Sequence, residues 1–104
     1  MDYNKKIKEL VFKEPEEVFE EFLNTLKSAF LDYLNGKVNE VTISKMTVLW
    51  YVAHDEFSNS LIKINPRIKD LGSAMDITHP DFSNSKKRAI IEGLVKKIDE
   101  ILLK

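Results

Sequence analysis

Residues 14–36, EPEEVFEEFLNTLKSAFLDYLNG, are the stretch that decides the fold of this chain. Their apolar side chains recur every three or four residues, which is the period of an amphipathic α-helix; they are Val18, Phe19, Phe22, Leu23, Leu26, Phe30 and Leu34. Pro15 suits the first helical position, since its φ is already fixed near the helical value and its missing N–H would have no partner there. Asn35 and Gly36 supply a left-handed stop. The stretch therefore predicts one long helix, begun by Glu14-Pro15 and ended by Asn35-Gly36.

Two further helices are predicted, one before the long helix and one after it. A short helix over residues 4–12 is expected to be capped by Asn4 and to bury Ile7, Leu10 and Val11. Residues 37–43 are rich in β-branched side chains but have no second strand to pair with, so they are predicted to be a connection. Thr42 or Ser44 is expected to cap a third helix, whose apolar face carries Met46, Leu49, Trp50, Ala53 and Phe57. The polar run Ser58-Asn59-Ser60 is predicted to end or fray that helix.

The last third of the chain predicts two more helices. Asn65-Pro66 has the form of a cap followed by a first-turn proline, and it opens a shorter fourth helix with Ile68, Leu71 and Met75 on one side. Residues 78–81 break the pattern. Ser83 or Ser85 is expected to cap the last helix, which buries Ile90, Ile91, Leu94, Val95, Ile98, Ile101 and Leu102. The sequence therefore predicts an all-α fold, a compact bundle of four helices plus a short N-terminal helix, as a single helical domain over residues 1–104.

The composition of the chain limits the kinds of partner and the cellular location that it is expected to have. The chain has 104 residues, of which 43% are hydrophobic and 32% charged, so it is expected to fold around one core. A net charge of −1 predicts no overall field that would attract nucleic acid or an anionic membrane. The absence of cysteine fits a reducing compartment, and no leader or membrane-spanning segment is recognisable. A cytoplasmic, unprocessed protein without membrane contact is the expectation.

Metal and nucleophile chemistry finds little support in the residues. His54-Asp55-Glu56, and His79 between Asp76 and Asp81, contain the residue types of a metal site. A metal-dependent phosphohydrolase would need further histidine and aspartate ligands, however, and the chain has two histidines in total. No serine lies in a glycine-flanked elbow beside a base. We therefore expect no catalytic, cofactor-binding or metal-binding residues, with a metal-dependent hydrolase kept as the least favoured hypothesis.

A basic segment suggests an alternative. Lys86-Lys87-Arg88 opens the last predicted helix and could contact phosphates if that helix entered a groove of nucleic acid. Acidic residues interleave with the later lysines of the same helix, and no compact turn of helix-turn-helix spacing precedes it. A solvated cationic face is the preferred interpretation, and a small nucleic-acid-binding regulator remains the alternative function.

Acidic residues are more numerous than helix capping requires. Five carboxylates occur within eight residues at the start of the long helix, and a second set follows in the later half of the chain; they are Glu14, Glu16, Glu17, Glu20 and Glu21, and then Asp55, Glu56, Asp70, Asp76 and Asp81. Negative charge on a rigid helical frame suits a basic cleft of another protein. Trp50 and Tyr51 cannot both face the core, so one of them could anchor such an interface, although Trp50 as core and Tyr51 at its margin is the simpler account. The predicted partner-binding residues are Asp55, Glu56, Asp76, Asp81, Trp50 and Tyr51.

The order of elements resembles that of small helical immunity proteins of the colicin D type. The resemblance covers roughly residues 20–104; it rests on the stretch FLDYLNGKV at 30–38, a polar-capped helix, Asn65-Pro66 opening a helix with Leu71 and Asp76, a loop with Asp81, and a terminal helix ending at 98–103. It implies a four-helix bundle whose acidic side chains block the active site of a nuclease toxin. The basic stretches at 5–8 and 86–88 depart from a uniformly acidic protein.

These observations favour a small stoichiometric protein inhibitor, immunity or antitoxin-like, from a bacterium or a phage. A phage-encoded inhibitor of a host defence enzyme would have the same composition, so the two roles remain open at this point. The partner is expected to be a protein, and nucleic acid is the disfavoured partner. The identity of the partner and the oligomeric state do not follow from the residues.

Overall fold

The computed structural model describes residues 1–103, and these residues form helices and no β-strand. In chain order the elements are α1 (Tyr3–Leu10), α2 (Pro15–Leu34), α3 (Glu40–Tyr51), α4 (Asp55–Ile64), a 3₁₀ segment (Pro66–Thr78) and α5 (Asn84–Leu102). The all-helical prediction is confirmed. The number of helices differs from the prediction, because residues 1–103 form six helical segments where the sequence predicted five.

Helix α2 forms as its sequence predicts. Pro15 occupies its first turn, and Gly36 ends it with φ of 76°, the left-handed conformation that glycine adopts without steric cost. The amide of Lys37 donates to the carbonyl of Asp32 at 2.8 Å, which satisfies one of the carbonyls left open at the helix end. The inner face of α2 is buried through Val18, Phe22, Leu23, Leu26, Ala29 and Phe30. This helix supplies the centre of the core.

The predicted third helix is two helices. Asn39, and neither Thr42 nor Ser44, caps α3, since its side chain accepts a hydrogen bond from the amide of Thr42 at 3.0 Å. The predicted connection is therefore too long, because α3 already begins at Glu40. The chain turns at residues 52–54 and restarts as α4, so Ser58-Asn59-Ser60 lies inside a helix and does not end one. The hydroxyl of Ser58 donates to the carbonyl of Tyr51 at 3.3 Å and so helps to satisfy the end of α3.

The predicted fourth helix is a 3₁₀ segment. Asn65 caps it as expected, accepting from the amide of Arg67 at 3.0 Å. Its buried apolar residues recur every three positions, which is the period of a 3₁₀ helix; they are Ile68, Leu71, Ala74 and Ile77. The segment packs chiefly against α3, where Gly72 faces the ring of Tyr51. The close approach leaves no room for a side chain at that glycine.

The first and last helices both pack against α2. Asp2, not Asn4, caps α1 by accepting from the amide of Lys5 at 3.1 Å, whereas Ser83 caps α5 as one of the two predicted residues. The hydroxyl of Tyr3 donates to the carboxylate of Asp32 at 2.5 Å and ties α1 to the far end of α2. Burial, together with this hydrogen bond and the charge of Asp32, raises the pKa of Tyr3 to about 12. Among the described helices, none is long and apolar enough to cross a membrane.

Candidate protein-binding surface

Trp50 belongs to the core, and its predicted role as an interface anchor is wrong. Its side chain is 0% exposed and packs edge-on against the ring of Phe22, with the ring centroids 5.2 Å apart. Tyr51 is half-buried, and its ring covers the backbone of Gly72. The simpler account given by the sequence, with Trp50 inside and Tyr51 at the margin, describes the structure.

The four predicted acidic residues lie in two groups and do not share one face. Asp55 and Glu56 open α4, immediately beyond the C-terminal end of α3. Asp76 and Asp81 lie toward the N-terminal end of α3, one in the last turn of the 3₁₀ segment and the other in the loop before α5. Helix α3 has twelve residues and is therefore about 18 Å long. A single contact centred on all four carboxylates is not what the fold presents.

Two side-chain contacts fix the position of the second group. The hydroxyl of Ser44, in the first half of α3, donates to the carbonyl of Met75 at 3.1 Å. Lys87, in the first turns of α5, forms an ion pair with Glu40, which is the first residue of α3. The segment between Met75 and Lys87 therefore lies beside the start of α3.

Each of the two histidines contacts a neighbouring group in the fold. His54 packs edge-on against Phe12, with ring centroids 5.1 Å apart. The Nδ1 atom of His79 accepts a hydrogen bond from the amide of Asp81 at 3.2 Å, as expected of a turn residue. Within residues 1–103, no three histidine, cysteine, aspartate or glutamate side chains come together as a set that could hold a metal ion.

The three cations at the start of α5 all form intramolecular contacts. Lys87 is buried and paired with Glu40, and Nη1 of Arg88 donates to the carbonyl of Leu34 at 2.9 Å. The ammonium group of Lys86 lies 4.3 Å from the centre of the Phe82 ring, where a cation–π interaction stabilises it. Two of these three cations join α5 to the ends of α2 and α3, and one of them, Lys87, has its charge paired with a carboxylate.

The carboxylates that do share a surface border the contact between α2 and α4. One depression of about 370 Å³ is lined by Glu16, Glu17 and Glu20 over a floor of Phe19 and Ile64. A second of about 370 Å³ lies toward the start of both helices and is bordered by Glu14 and Glu56, with Lys13 also on its wall. We call these two depressions together the acidic groove, defined by Glu14, Glu16, Glu17, Glu20 and Glu56.

The acidic groove differs from an ordinary solvated helix face in two respects. In the part of the chain that the structure describes, none of its five carboxylates forms an ion pair. Its floor is apolar, since Ile64 is exposed and Phe19 is half-buried beside it. Unpaired charge around an apolar floor is the arrangement of a protein-binding patch, with a polar rim and a hydrophobic centre.

Glu21 lies outside the acidic groove, although it belongs to the same run of glutamates in the sequence. Its carboxylate accepts from the ammonium group of Lys6 at 2.6 Å, across the contact between α2 and α1. This hydrogen bond holds the pKa of Glu21 below its usual range and raises that of Lys6. Glu21 thus contributes to the contact between two helices, on the other side of α2 from Glu16.

The acidic residues of the groove were all noted in the sequence, but they were not predicted to lie on one surface. Glu56 was grouped with Asp55, Asp76 and Asp81, and the glutamates of α2 were a separate feature. A signal was present, because Glu56, Ser60 and Ile64 are spaced by four residues and so line one side of a helix. This spacing is informative only if residues 55–64 are recognised as a separate helix.

Comparisons of the chain with known protein families, with curated proteins and with solved structures give no match.

Proposed function

We propose that this chain is a small stoichiometric inhibitor, immunity or antitoxin-like, that acts in the cytoplasm by covering a basic cleft of a toxin or nuclease. The observation that supports it is the acidic groove, whose five carboxylates form no ion pair within residues 1–103. Glu16, Glu17 and Glu20 surround the apolar floor of Phe19 and Ile64, and Glu14 and Glu56 border the second depression between the same two helices. A cleft that binds nucleic acid is lined with cations, so a rigid acidic surface can occupy it in place of phosphates. The resemblance to colicin D immunity proteins implies the same mode of action.

Rigid elements hold the groove in place. Phe57, which follows Glu56 in α4, packs against Phe22 of α2 with ring centroids 5.3 Å apart. The glutamates of α2 lie in its first two turns, on the helix that forms the centre of the core. Little backbone entropy is therefore lost when the groove meets a partner, which favours binding.

A role as a nucleic-acid-binding regulator is less well supported. Lys87, in the middle of the basic segment, is buried and paired with Glu40, so a phosphate would have to displace that ion pair to reach it. An inhibitor of a host defence enzyme would use the acidic groove in the same way as an immunity protein, so the two are versions of one proposal that differ in the identity of the basic partner.

The experiment starts from the gene that lies directly upstream, because an immunity gene follows the gene of its toxin. Its product would be purified, and its toxic or nuclease activity measured with and without this chain. We expect inhibition at one-to-one stoichiometry. Glu16→Lys with Glu20→Lys should weaken inhibition by slowing association, more strongly at low salt.

A matched control separates the groove from overall charge. Glu92→Lys with Glu100→Lys reverses two exposed carboxylates of α5 that form no ion pair in the described residues, and it changes the net charge by the same amount. This variant should inhibit as the parent chain does. Equal weakening by both pairs would reduce the effect to net charge, and full inhibition by the groove variant would overturn the proposed surface. Tight binding to duplex DNA or RNA, with no inhibition of any protein, would favour the regulator.

A further inference from the structure

Helix α3 has a composition that its position in the fold does not explain. Its sequence, EVTISKMTVLWY, contains two charged residues, and one of these, Glu40, is paired with Lys87. Its seven apolar residues are spread around the helix and are not confined to one side, which is more typical of a helix covered by protein on both sides than of a surface helix. The structure covers one side: Trp50 faces the core and is 0% exposed, whereas Val41, Val48 and Val52 are 46%, 40% and 55% exposed.

The exposed valines form a stripe. Val41, Lys45, Val48 and Val52 are separated by four, three and four residues, so they lie within about 60° of one another around the helix, opposite Trp50. The stripe runs about 16 Å along α3. Single exposed valines are common on protein surfaces, but a row of three on one helix is an apolar strip that water solvates poorly.

The same side of the molecule is cationic. A groove of about 480 Å³ runs between α1 and α3 and is lined by Asp2, Asn4, Lys5, Lys8, Lys45 and Leu49. None of its three lysines forms an ion pair within residues 1–103, and the carboxylate of Asp2 is engaged as the cap of α1. We call this surface the α1–α3 face, defined by Lys5, Lys8, Lys45, Val41, Val48 and Val52.

We propose that the α1–α3 face binds an acidic amphipathic helix of a second protein partner. Such a helix would cover the valine stripe with its apolar side and place carboxylates near Lys5, Lys8 and Lys45, which is the helix-in-groove mode of recognition. The stripe of about 16 Å matches about three turns of the bound helix. This inference does not depend on the proposed function, because it concerns a surface of opposite charge on the side of α3 that faces away from α2.

Charge and apolar surface together distinguish among three possible partners for this face: a second copy of the chain, nucleic acid and an acidic helix. A second copy of this chain, docked through the same face by a two-fold axis, would bring lysines against lysines and gain nothing for their charge. Nucleic acid would satisfy the lysines but would leave the valines against phosphates and sugars, with no apolar surface to cover them. An acidic helix with an apolar side complements both features.

The test uses a synthetic peptide of about 16 residues, with leucines spaced by four, three and four residues, glutamates beside them and both ends blocked. A second peptide carries lysine in place of every glutamate. Binding would be measured by fluorescence anisotropy, and the site mapped by amide chemical shifts of the full chain. The glutamate peptide should shift amides of α1 and α3 and bind at least about tenfold more tightly than the lysine peptide, which corresponds to about 1.4 kcal/mol.

Two sets of variants test the two parts of the α1–α3 face. Lys5→Glu, Lys8→Glu and Lys45→Glu together should weaken binding of the glutamate peptide at least about tenfold, and Val48→Ser with Val52→Ser should do the same at unchanged net charge. The matched control is Lys37→Glu, Lys69→Glu and Lys96→Glu, three exposed lysines elsewhere on the surface that lie in no ion pair of the described residues. It should bind the peptide within about twofold of the parent.

Several results would overturn the inference. These are shifts that map outside α1 and α3, equal binding of the two peptides, or an equal loss in the control triple variant. Tighter binding of a DNA or RNA duplex that is insensitive to the valine variants would make the face a nucleic-acid site. A dimer in sedimentation equilibrium that the valine variants abolish would make it a self-association site. Toxin inhibition should be unchanged in the valine variants, so failure here and failure of the acidic groove are distinguishable.

Discussion

Replacing Gly72 by alanine should destabilise the protein through a single clash with Tyr51. A β-carbon at position 72 would lie 2.8 Å from Cε2 and Cζ of the Tyr51 ring and 2.9 Å from Cε1. Carbon atoms attract one another best at about 3.5–4.0 Å, so all three contacts would be strongly repulsive. The ring cannot easily retreat toward the core, because it packs edge-on against the buried Trp50, with centroids 5.2 Å apart. Either the ring or the 3₁₀ segment must shift.

The expected magnitude combines two opposing effects. Overpacking of this kind costs typically about 1–3 kcal/mol. Alanine also restricts the unfolded chain, which returns about 0.4–1 kcal/mol where the backbone conformation suits it. The net loss should be about 1–2 kcal/mol, which lowers the melting temperature by roughly 4–16 °C in a domain of this size. Urea and thermal unfolding followed by circular dichroism would measure it.

A double-mutant cycle and a matched control make the reasoning refutable. In a Tyr51→Ala background the clash is absent, so Gly72→Ala should become neutral or stabilising by up to about 1 kcal/mol. Gly93→Ala is the control, since a β-carbon there would meet nothing within 4 Å, and this exposed helical position should gain about 0.5–1 kcal/mol. If Gly72→Ala costs the same with and without the tyrosine ring, Tyr51 does not explain the glycine. Tyr51 would then be free to serve as the interface anchor that its sequence suggested.

Three further substitutions test other contacts. Phe22→Ala should cost about 3–5 kcal/mol in urea unfolding, because Phe22 is fully buried against Trp50; a loss under about 1 kcal/mol would contradict this packing. Tyr3→Phe should cost about 1–2 kcal/mol at neutral pH by removing the hydrogen bond to Asp32. The raised pKa of Tyr3 means that the folded state holds the phenolic proton more tightly, so this stability is complete below pH 10 and is lost as pH rises toward 12. The parent chain should therefore lose stability more steeply than Tyr3→Phe over that range, and parallel curves would refute the coupling. Lys87→Met should cost about 1–2 kcal/mol, whereas exposed Lys86→Met should stay within about 0.5 kcal/mol; equal effects would contradict the structural role given to Lys87.

The sequence predicted the parts of the fold in which local signals agree with one another. In α2, the first-turn proline, the spacing of apolar residues and the Asn35-Gly36 stop all indicate the same helix, and its bounds are correct. Asn65 was predicted as a cap for the same reason, and Ser83 was one of the two residues, with Ser85, predicted to cap the last helix. Agreement among independent local signals is what specifies an element.

The errors arose where two signals competed. Val41 and Ile43 favour an extended chain by their branching, but Asn39 provides a cap just before them and the bundle buries Ile43, so the helix prevails. Ser58 is of a residue type that often ends a helix, but here its hydroxyl donates hydrogen bonds to the backbone carbonyls of Tyr51 and Asp55, around the turn between α3 and α4. The spacing of three among Ile68, Leu71, Ala74 and Ile77 was visible in the sequence, but long 3₁₀ segments are uncommon and an α-helix is the usual expectation for such a stretch.

The net charge of −1 concealed how charge is distributed over the surface, and this distribution is what carries the proposals. Among residues 1–103, the fold gathers five carboxylates that form no ion pair along α2 and α4, and three lysines that form none between α1 and α3. These charges cancel in the composition, but they lie in different places on the surface, with the carboxylates beside the contact of α2 with α4 and the lysines beside the contact of α1 with α3. Each surface can therefore attract a partner of opposite charge, because salt screens exposed charges that are more than about 8 Å apart. A sum over the sequence excludes a field around the whole molecule, but it does not exclude two local fields of opposite sign, and those can be recognised only once the helices are placed.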